Sequence, residues 1–105
     1  MRFYISGPIT NVAQSQAQAS FMRAADVLKR AGMAFINPEE ALRNVALEHD
    51  DYLRINLAML KLCDAILLLP GYEQSRGALM ELGMAMALDK QIYLLEGDEI
   101  EEYRH

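Results

Sequence analysis

Cysteine is almost missing from the sequence: Cys63 is the only one in 105 residues. No disulfide can close within the chain and no multi-thiolate metal site can assemble, so a reducing cytosol is its natural setting and Cys63 reads as a small buried hydrophobe. Histidine is nearly as scarce. His49 and His105, the only two, leave no Ser-His-Asp or Cys-His constellation. Walker loops and GxGxxG turns are absent too. Basic residues are outnumbered, 10 Lys and Arg against 15 Asp and Glu, for a net charge of -5. With no basic run, a nucleic-acid polymer is excluded as the general partner. No apolar stretch approaches the ~20 residues of a membrane span. The first residues are expected to form a strand rather than a signal peptide, because the apolar run is short and no small-residue cleavage site follows. Repeats and low-complexity segments are also absent, which leaves one domain over residues 1–105, expected to be cytoplasmic.

What is present is organised around residues 64–83. Asp64-Ala65-Ile66-Leu67-Leu68-Leu69 is a short unbroken apolar run closed by Pro70-Gly71, the pattern of a strand buried on both faces of a parallel sheet. Ser75, Arg76 and Gly77 follow, and then a segment from Ala78 to Leu88 rich in Ala, Leu and Met. The order is strand, polar loop, helix. A helix start presents unpaired N–H groups and the positive end of its dipole, which suits an anion. Ser75 adds a hydroxyl, Arg76 a charged fork, and Gly77 close access to the backbone. Glu81 is the only ionisable side chain from Ala78 to Leu88. Two readings stand open for it, a first-turn carboxylate complementing the dipole or a carboxylate aimed into a cleft.

In chain order, Arg2 to Ser6 reads as the first strand, ended by Gly7-Pro8 much as Pro70-Gly71 ends the later one. After a polar loop through Thr10, Asn11 and Gln14, residues Ala17, Phe21, Ala24, Leu28 and Ala31 keep helical spacing, with Gly32 as the stop. Met33 to Ile36 is the second strand. Asn37-Pro38-Glu39-Glu40 then opens a short helix expected to run through about Glu48. Asp50 or Asp51 is the expected cap of the next helix, Gln91 to Leu95 the fourth strand, and Glu99 to Tyr103 a strand or helix within an acidic segment, Glu96 to Glu102, read as a solvated end. The helix after the polar loop is apolar nearly all round, its methionines serving either the core or a second subunit.

Strands alternating with helices predict an α/β fold, a doubly wound, mostly parallel sheet of four to five strands in order 2-1-3-4, possibly 5, with helices on both faces. The chain reverses direction between the first and third strands, and a ligand is expected in the crevice outside their carboxyl ends. Gly7-Pro8-Ile9-Thr10 and Gly71 to Gly77 flank that crevice. A lone helix carboxylate beside an anion pocket fits nucleophilic attack on a sugar carbon, with Glu81 as nucleophile.

Tyr4-Ile5-Ser6-Gly7-Pro8, Cys63-Asp64-Ala65 and Ser75-Arg76-Gly77-Ala78-Leu79-Met80-Glu81-Leu82-Gly83-Met84-Ala85, in this order and spacing, resemble the nucleoside 2-deoxyribosyltransferase superfamily. That superfamily includes the 2'-deoxynucleoside 5'-phosphate N-hydrolases, and the chain looks most like a small bacterial and phage branch carrying a domain of unknown function. The resemblance implies a flavodoxin-like sheet, a homodimer or larger homo-oligomer, no metal and no organic cofactor. It also implies cleavage or exchange of the N-glycosidic bond of a deoxynucleoside or its monophosphate. By position, Glu81 matches the catalytic glutamate, Ser75 a phosphate-holding serine, and Tyr4 and Gly7 the first-strand motif lining the sugar pocket.

Two positions depart from the family pattern. Where the enzymes carry a second acid, eight residues before the aspartate that opens the third strand, this chain has Asn56. An amide can hold a sugar hydroxyl but cannot protonate a leaving base; Glu48, Asp50 and Asp51 are nearby acids without motif support. The phosphate loop is also short, running Pro8-Ile9-Thr10-Asn11, so Thr10, Ser75, Arg76 and the helix amides are the donors left. The alternative to an enzyme is a nucleotide-binding module of the same fold that has lost its acid.

Overall fold

Strand β1 (Arg2–Ser6) lies inside the sheet, between β2 (Ala34–Ile36) on one side and the central strand β3 (Ala65–Leu68) on the other. The computed structural model describes residues 1–104, so His105 lies outside the described residues. Strands β4 (Gln91–Glu96) and β5 (Glu99–Glu102) complete the order β2-β1-β3-β4-β5. Neighbours are parallel except β4 and β5, which form an antiparallel hairpin. Helices α1 (Gln14–Arg30), α2 (Pro38–Ala41), α3 (His49–Lys61) and α4 (Arg76–Ala87) supply the crossovers, with one 3-10 turn at Tyr72–Gln74. The doubly wound, flavodoxin-like architecture and its strand order are those expected.

Alternation along the strands divides the core into two layers. Phe3, Ile5, Ala65, Leu67 and Leu69 face α1, where Phe21, Ala24 and Leu28 cover them. Tyr4, Ile66 and Leu68 face the opposite way, against Leu60 of α3 and Leu82 and Ala85 of α4. Cys63 joins that second layer, and burial pushes its thiol up to about 11, as suits a side chain that serves only packing.

Local signals explain most element ends. Gly32 takes φ +72 after α1, and the Met33 N–H bonds back to the Leu28 carbonyl. Asn37 accepts the Glu40 N–H at 3.3 Å, with Pro38 as the first residue of α2. Three expectations are corrected. Helix α2 stops at Ala41 instead of reaching Glu48, because Asn44 turns to φ +67 and the Tyr52 hydroxyl of α3 donates to the Val45 carbonyl. Glu48, not Asp50 or Asp51, holds the N-cap position of α3 and makes no side-chain cap bond; both aspartates fall in the first turn and favour the dipole from there. The acidic segment keeps its carboxylates exposed, as expected, but it is not a loose end. It turns at Gly97, φ +59, and pairs as β5, with Ile100 tucked against the α1 layer.

The two strand-ending turns meet one another. A Cβ on Gly7 would lie 2.8 Å from the Leu69 Cβ, and one on Gly71 would lie 3.3 Å from the Pro8 Cγ. Gly7 therefore lets the ends of β1 and β3 close together. Gly7→Ala is expected to lower unfolding free energy by about 1–3 kcal/mol, read from the urea midpoint; unchanged stability would show that the contact relaxes freely.

Candidate functional site: a carboxylate held by two hydroxyls

Tyr4 and Ser6 stand two apart on β1 and so point to the same face, that of α3 and α4. Glu81 is the sixth residue of α4, and Ala78, Leu82 and Ala85 seat that side of the helix on the sheet. Its carboxylate reaches β1. The Tyr4 hydroxyl donates to Glu81 Oε2 at 2.7 Å, and the Ser6 hydroxyl donates to Oε1 at 2.5 Å. Of the two readings left open for Glu81, the first-turn dipole role falls away: no acid lies in the first turn of α4.

Burial and hydrogen bonding oppose each other at this carboxylate. Loss of water raises the Glu81 pKa above its ordinary value, and the bonds from Ser6 and Tyr4 pull it back without cancelling the rise. Tyr4, with no exposed surface, is itself pushed far up by burial and by the adjacent carboxylate, so it remains a donor at any physiological pH. Each carboxylate oxygen accepts one hydroxyl and keeps further lone-pair capacity. The group is oriented, largely dry and able to act as a base or nucleophile.

A cleft of about 330 Å³ opens at the carboxyl edge of the sheet. Ile9 and Val12 from the loop after β1, Pro38 and Leu42 at α2, and Tyr52 and Asn56 of α3 bound it. It lies on the β2 side of the expected crevice. Ser75, Arg76 and Gly77 are not among its walls; they sit at the start of α4, where the Ser75 side chain accepts the Ala78 N–H at 3.2 Å and Arg76 is exposed. Gly7 is buried against Leu69, Pro8 packs on Gly71, and Thr10 is exposed. Asn56 enters the cleft wall with its carbonyl oxygen buried and unpaired among the described residues.

The structure thus brings together Tyr4 and Glu81 of the expected residues, and Asn56 borders the cleft, whose walls include neither Tyr4 nor Glu81. Ser6 had not been singled out. Its signal is present as a polar residue two positions after Tyr4 in an otherwise buried strand. Glu39 and Arg43, also unforeseen, pair in the cleft wall, and their spacing of four is the familiar mark of facing helical side chains. Among the described residues no cluster of three or more His, Cys, Asp or Glu is placed to hold a metal ion, and no helix is long and apolar enough to cross a membrane.

Comparison with known proteins bears on this geometry. No curated protein matches the chain in sequence. Among solved structures, a 2-deoxyribosyltransferase from the psychrotolerant bacterium Bacillus psychrosaccharolyticus superposes with a TM-score of 0.70 at 21% identity, over 92% of this chain and 74% of that one. The CMP N-glycosidase BcmB of Clostridium botulinum gives 0.63 at 21% identity, over 90% and 67%. A 2-deoxyribosyltransferase from Leishmania mexicana gives 0.62 at 25% identity, over 90% and 65%. The fold is that of the nucleoside deoxyribosyltransferases. A family model described as a domain of unknown function, DUF4406, matches residues 1–94, and the chain belongs to that family.

Proposed function

We propose that the protein cleaves or exchanges the N-glycosidic bond of a deoxynucleoside or deoxynucleoside monophosphate, with Glu81 as the nucleophile. The observation that carries this reading is the buried carboxylate held by Tyr4 and Ser6. The similarity in fold to a 2-deoxyribosyltransferase and a CMP N-glycosidase supports it. A Glu81 oxygen attacks the anomeric carbon as the bond to the base nitrogen breaks, and the bonding pair leaves with the base. Water or a second base then attacks the same carbon and frees the carboxylate. Burial raises the energy of the ionised carboxylate before attack, while the two hydroxyls keep it ionised and aimed.

The remaining assignments are part of the same proposal. Tyr4 positions Glu81, Asn56 holds a sugar hydroxyl, and Ser75 keeps its O–H free to donate to a phosphate together with the first amides of α4. Arg76 and Gly77 flank that phosphate, and Gly7, Pro8 and Thr10 form the opposite rim. Leu79, Met80 and Met86 of α4 are exposed, and we assign this stripe to a homodimer contact. Asn56 is the specific observation favouring the second reading, a non-catalytic nucleotide-binding module, since its amide cannot protonate a leaving base.

The deciding experiment follows free base by chromatography from the common deoxynucleosides and their monophosphates. Release that falls roughly a thousandfold or more in Glu81→Ala is expected, with one deoxyribosyl group detectable on the intact protein by mass spectrometry. Binding without release would favour the module. Tyr4→Phe removes a hydrogen bond to a carboxylate, worth about 1.5–3 kcal/mol, and is expected to move the acid limb of the activity profile to higher pH. Because the folded pKa of Glu81 is raised, the folded state holds this proton more tightly than the unfolded chain. Its contribution to stability is therefore lost as pH rises from the ordinary 4.5 through the folded value. Glu81→Gln is accordingly expected to melt above the wild type at neutral pH, with the gap closing in acid.

A further inference from the structure

We infer, resting on the glycosidase reading, that the cleft between α1, α2 and α3 is the nucleobase pocket and that Arg43, held by Glu39, reads the edge of the base. The ligands it selects for are bases that present a keto oxygen and an unprotonated ring nitrogen side by side on one edge, O2 with N3 in cytosine and O6 with N7 in guanine.

Arg43 is fixed side-on. Its Nε donates to Glu39 Oε2 at 3.2 Å and its Nη2 to Oε1 at 2.7 Å. The Glu39 side chain is only 7% exposed, so the pair is anchored from inside the fold. Two bonds to one carboxylate set the guanidinium plane. The end-on edge, Nη1 with the second N–H of Nη2, makes no hydrogen bond among the described residues, and Arg43 bounds the cleft. Parallel N–H groups on that edge match two acceptors side by side, the geometry by which arginine recognises guanine in a DNA groove. Adenine offers no keto oxygen, and in thymine the ring nitrogen beside each keto oxygen carries a proton.

Charge decides against a phosphate in the same place. Among the described residues Glu39 and Arg43 are the only charged side chains bounding the cleft, and they neutralise each other. A phosphate would be desolvated there against a cation already paired, which is costly. An uncharged heterocycle meets no such penalty, and Ile9, Val12, Pro38 and Leu42 supply apolar walls for its faces. The volume, about 330 Å³, is at the small end of ligand pockets. Position agrees as well. Asn56 lies one turn before Leu60, which packs with Tyr4, so it stands further toward the carboxyl edge of the sheet, on the side to which Ser6 and the loop after β1 also lead.

The test measures kcat and KM for base release from deoxycytidine, deoxyguanosine, deoxyadenosine and thymidine. Three proteins are compared: wild type, Arg43→Lys, and the double variant Glu39→Gln with Arg43→Gln, which removes the fork without stranding a buried carboxylate. Wild type is expected to favour deoxycytidine or deoxyguanosine. Either variant should raise KM for the favoured base by about tenfold or more, narrow the preference and change kcat less, while inorganic phosphate inhibits all three proteins equally. Preference for deoxyadenosine or thymidine, an unchanged KM in variants that melt normally, or phosphate inhibition lost with Arg43 would each overturn the assignment and leave the glycosidase reading intact. Should wild type release no base, that reading fails, and titration calorimetry with the same four deoxynucleosides decides the pocket. Binding that prefers the two-acceptor bases and weakens in the variants upholds it; no binding overturns it.

Discussion

The pairing of β1 with β3 is the constraint on which the rest depends. Once Tyr4 stands opposite Ile66 and Ser6 opposite Leu68, the pleat leaves no freedom about which side chains meet which helix. Phe3 and Ile5 go to α1; Tyr4 and Ser6 go to α3 and α4. A register slip of one residue would turn both hydroxyls away from Glu81 and bring Ile5 against its carboxylate. The site is therefore specified by the same parallel ladder that specifies the core, and close approach at Gly7 holds the two strand ends where the ladder finishes.

Two buried carboxylates are handled in opposite ways. Glu39 is neutralised by a cation on its own helical face, and its environment is settled before any ligand arrives. Among the described residues Glu81 receives only neutral hydroxyls. Hydrogen bonds orient a carboxylate without cancelling its charge, so Glu81 stays at a higher energy than a salt-bridged acid would. One carboxylate is paired with a charge and the other only with hydroxyls, and the difference lies in the partner rather than in depth of burial.

Much of this was legible in the chain. The apolar run from Ala65, the Gly-Pro and Pro-Gly closures, the Asn37-Pro38 start and the Gly32 stop are local patterns whose meaning does not depend on distant residues. Glu81 was legible as an anomaly, the one charge in an apolar helix. Its partner Tyr4 came with the first-strand motif. What could not be read locally were arrangements made by remote pairing. The early end of α2 depends on Tyr52 reaching back to Val45. Strand β5 exists because β4 offers it an edge, since Glu99-Ile100-Glu101-Glu102 has little strand character of its own. Ser6 was overlooked because a serine at a strand end is ordinary until the helix opposite places an acid against it. The cleft lies nearer β2 than topology alone suggests because the loops after β1 and β2, with the start of α3, form its walls.

The acidic hairpin has a consequence for assembly. An open sheet ends in unpaired backbone groups that can template another strand, and the outermost strand here carries Glu99, Glu101 and Glu102 along that border. Two copies brought border to border would place like charges against one another, so growth of a continuous intermolecular sheet is opposed. At the far border β2 has only three residues, too little backbone to nucleate a fibre. The same sheet that forms the site is thus terminated at both ends, by charge on one side and by brevity on the other.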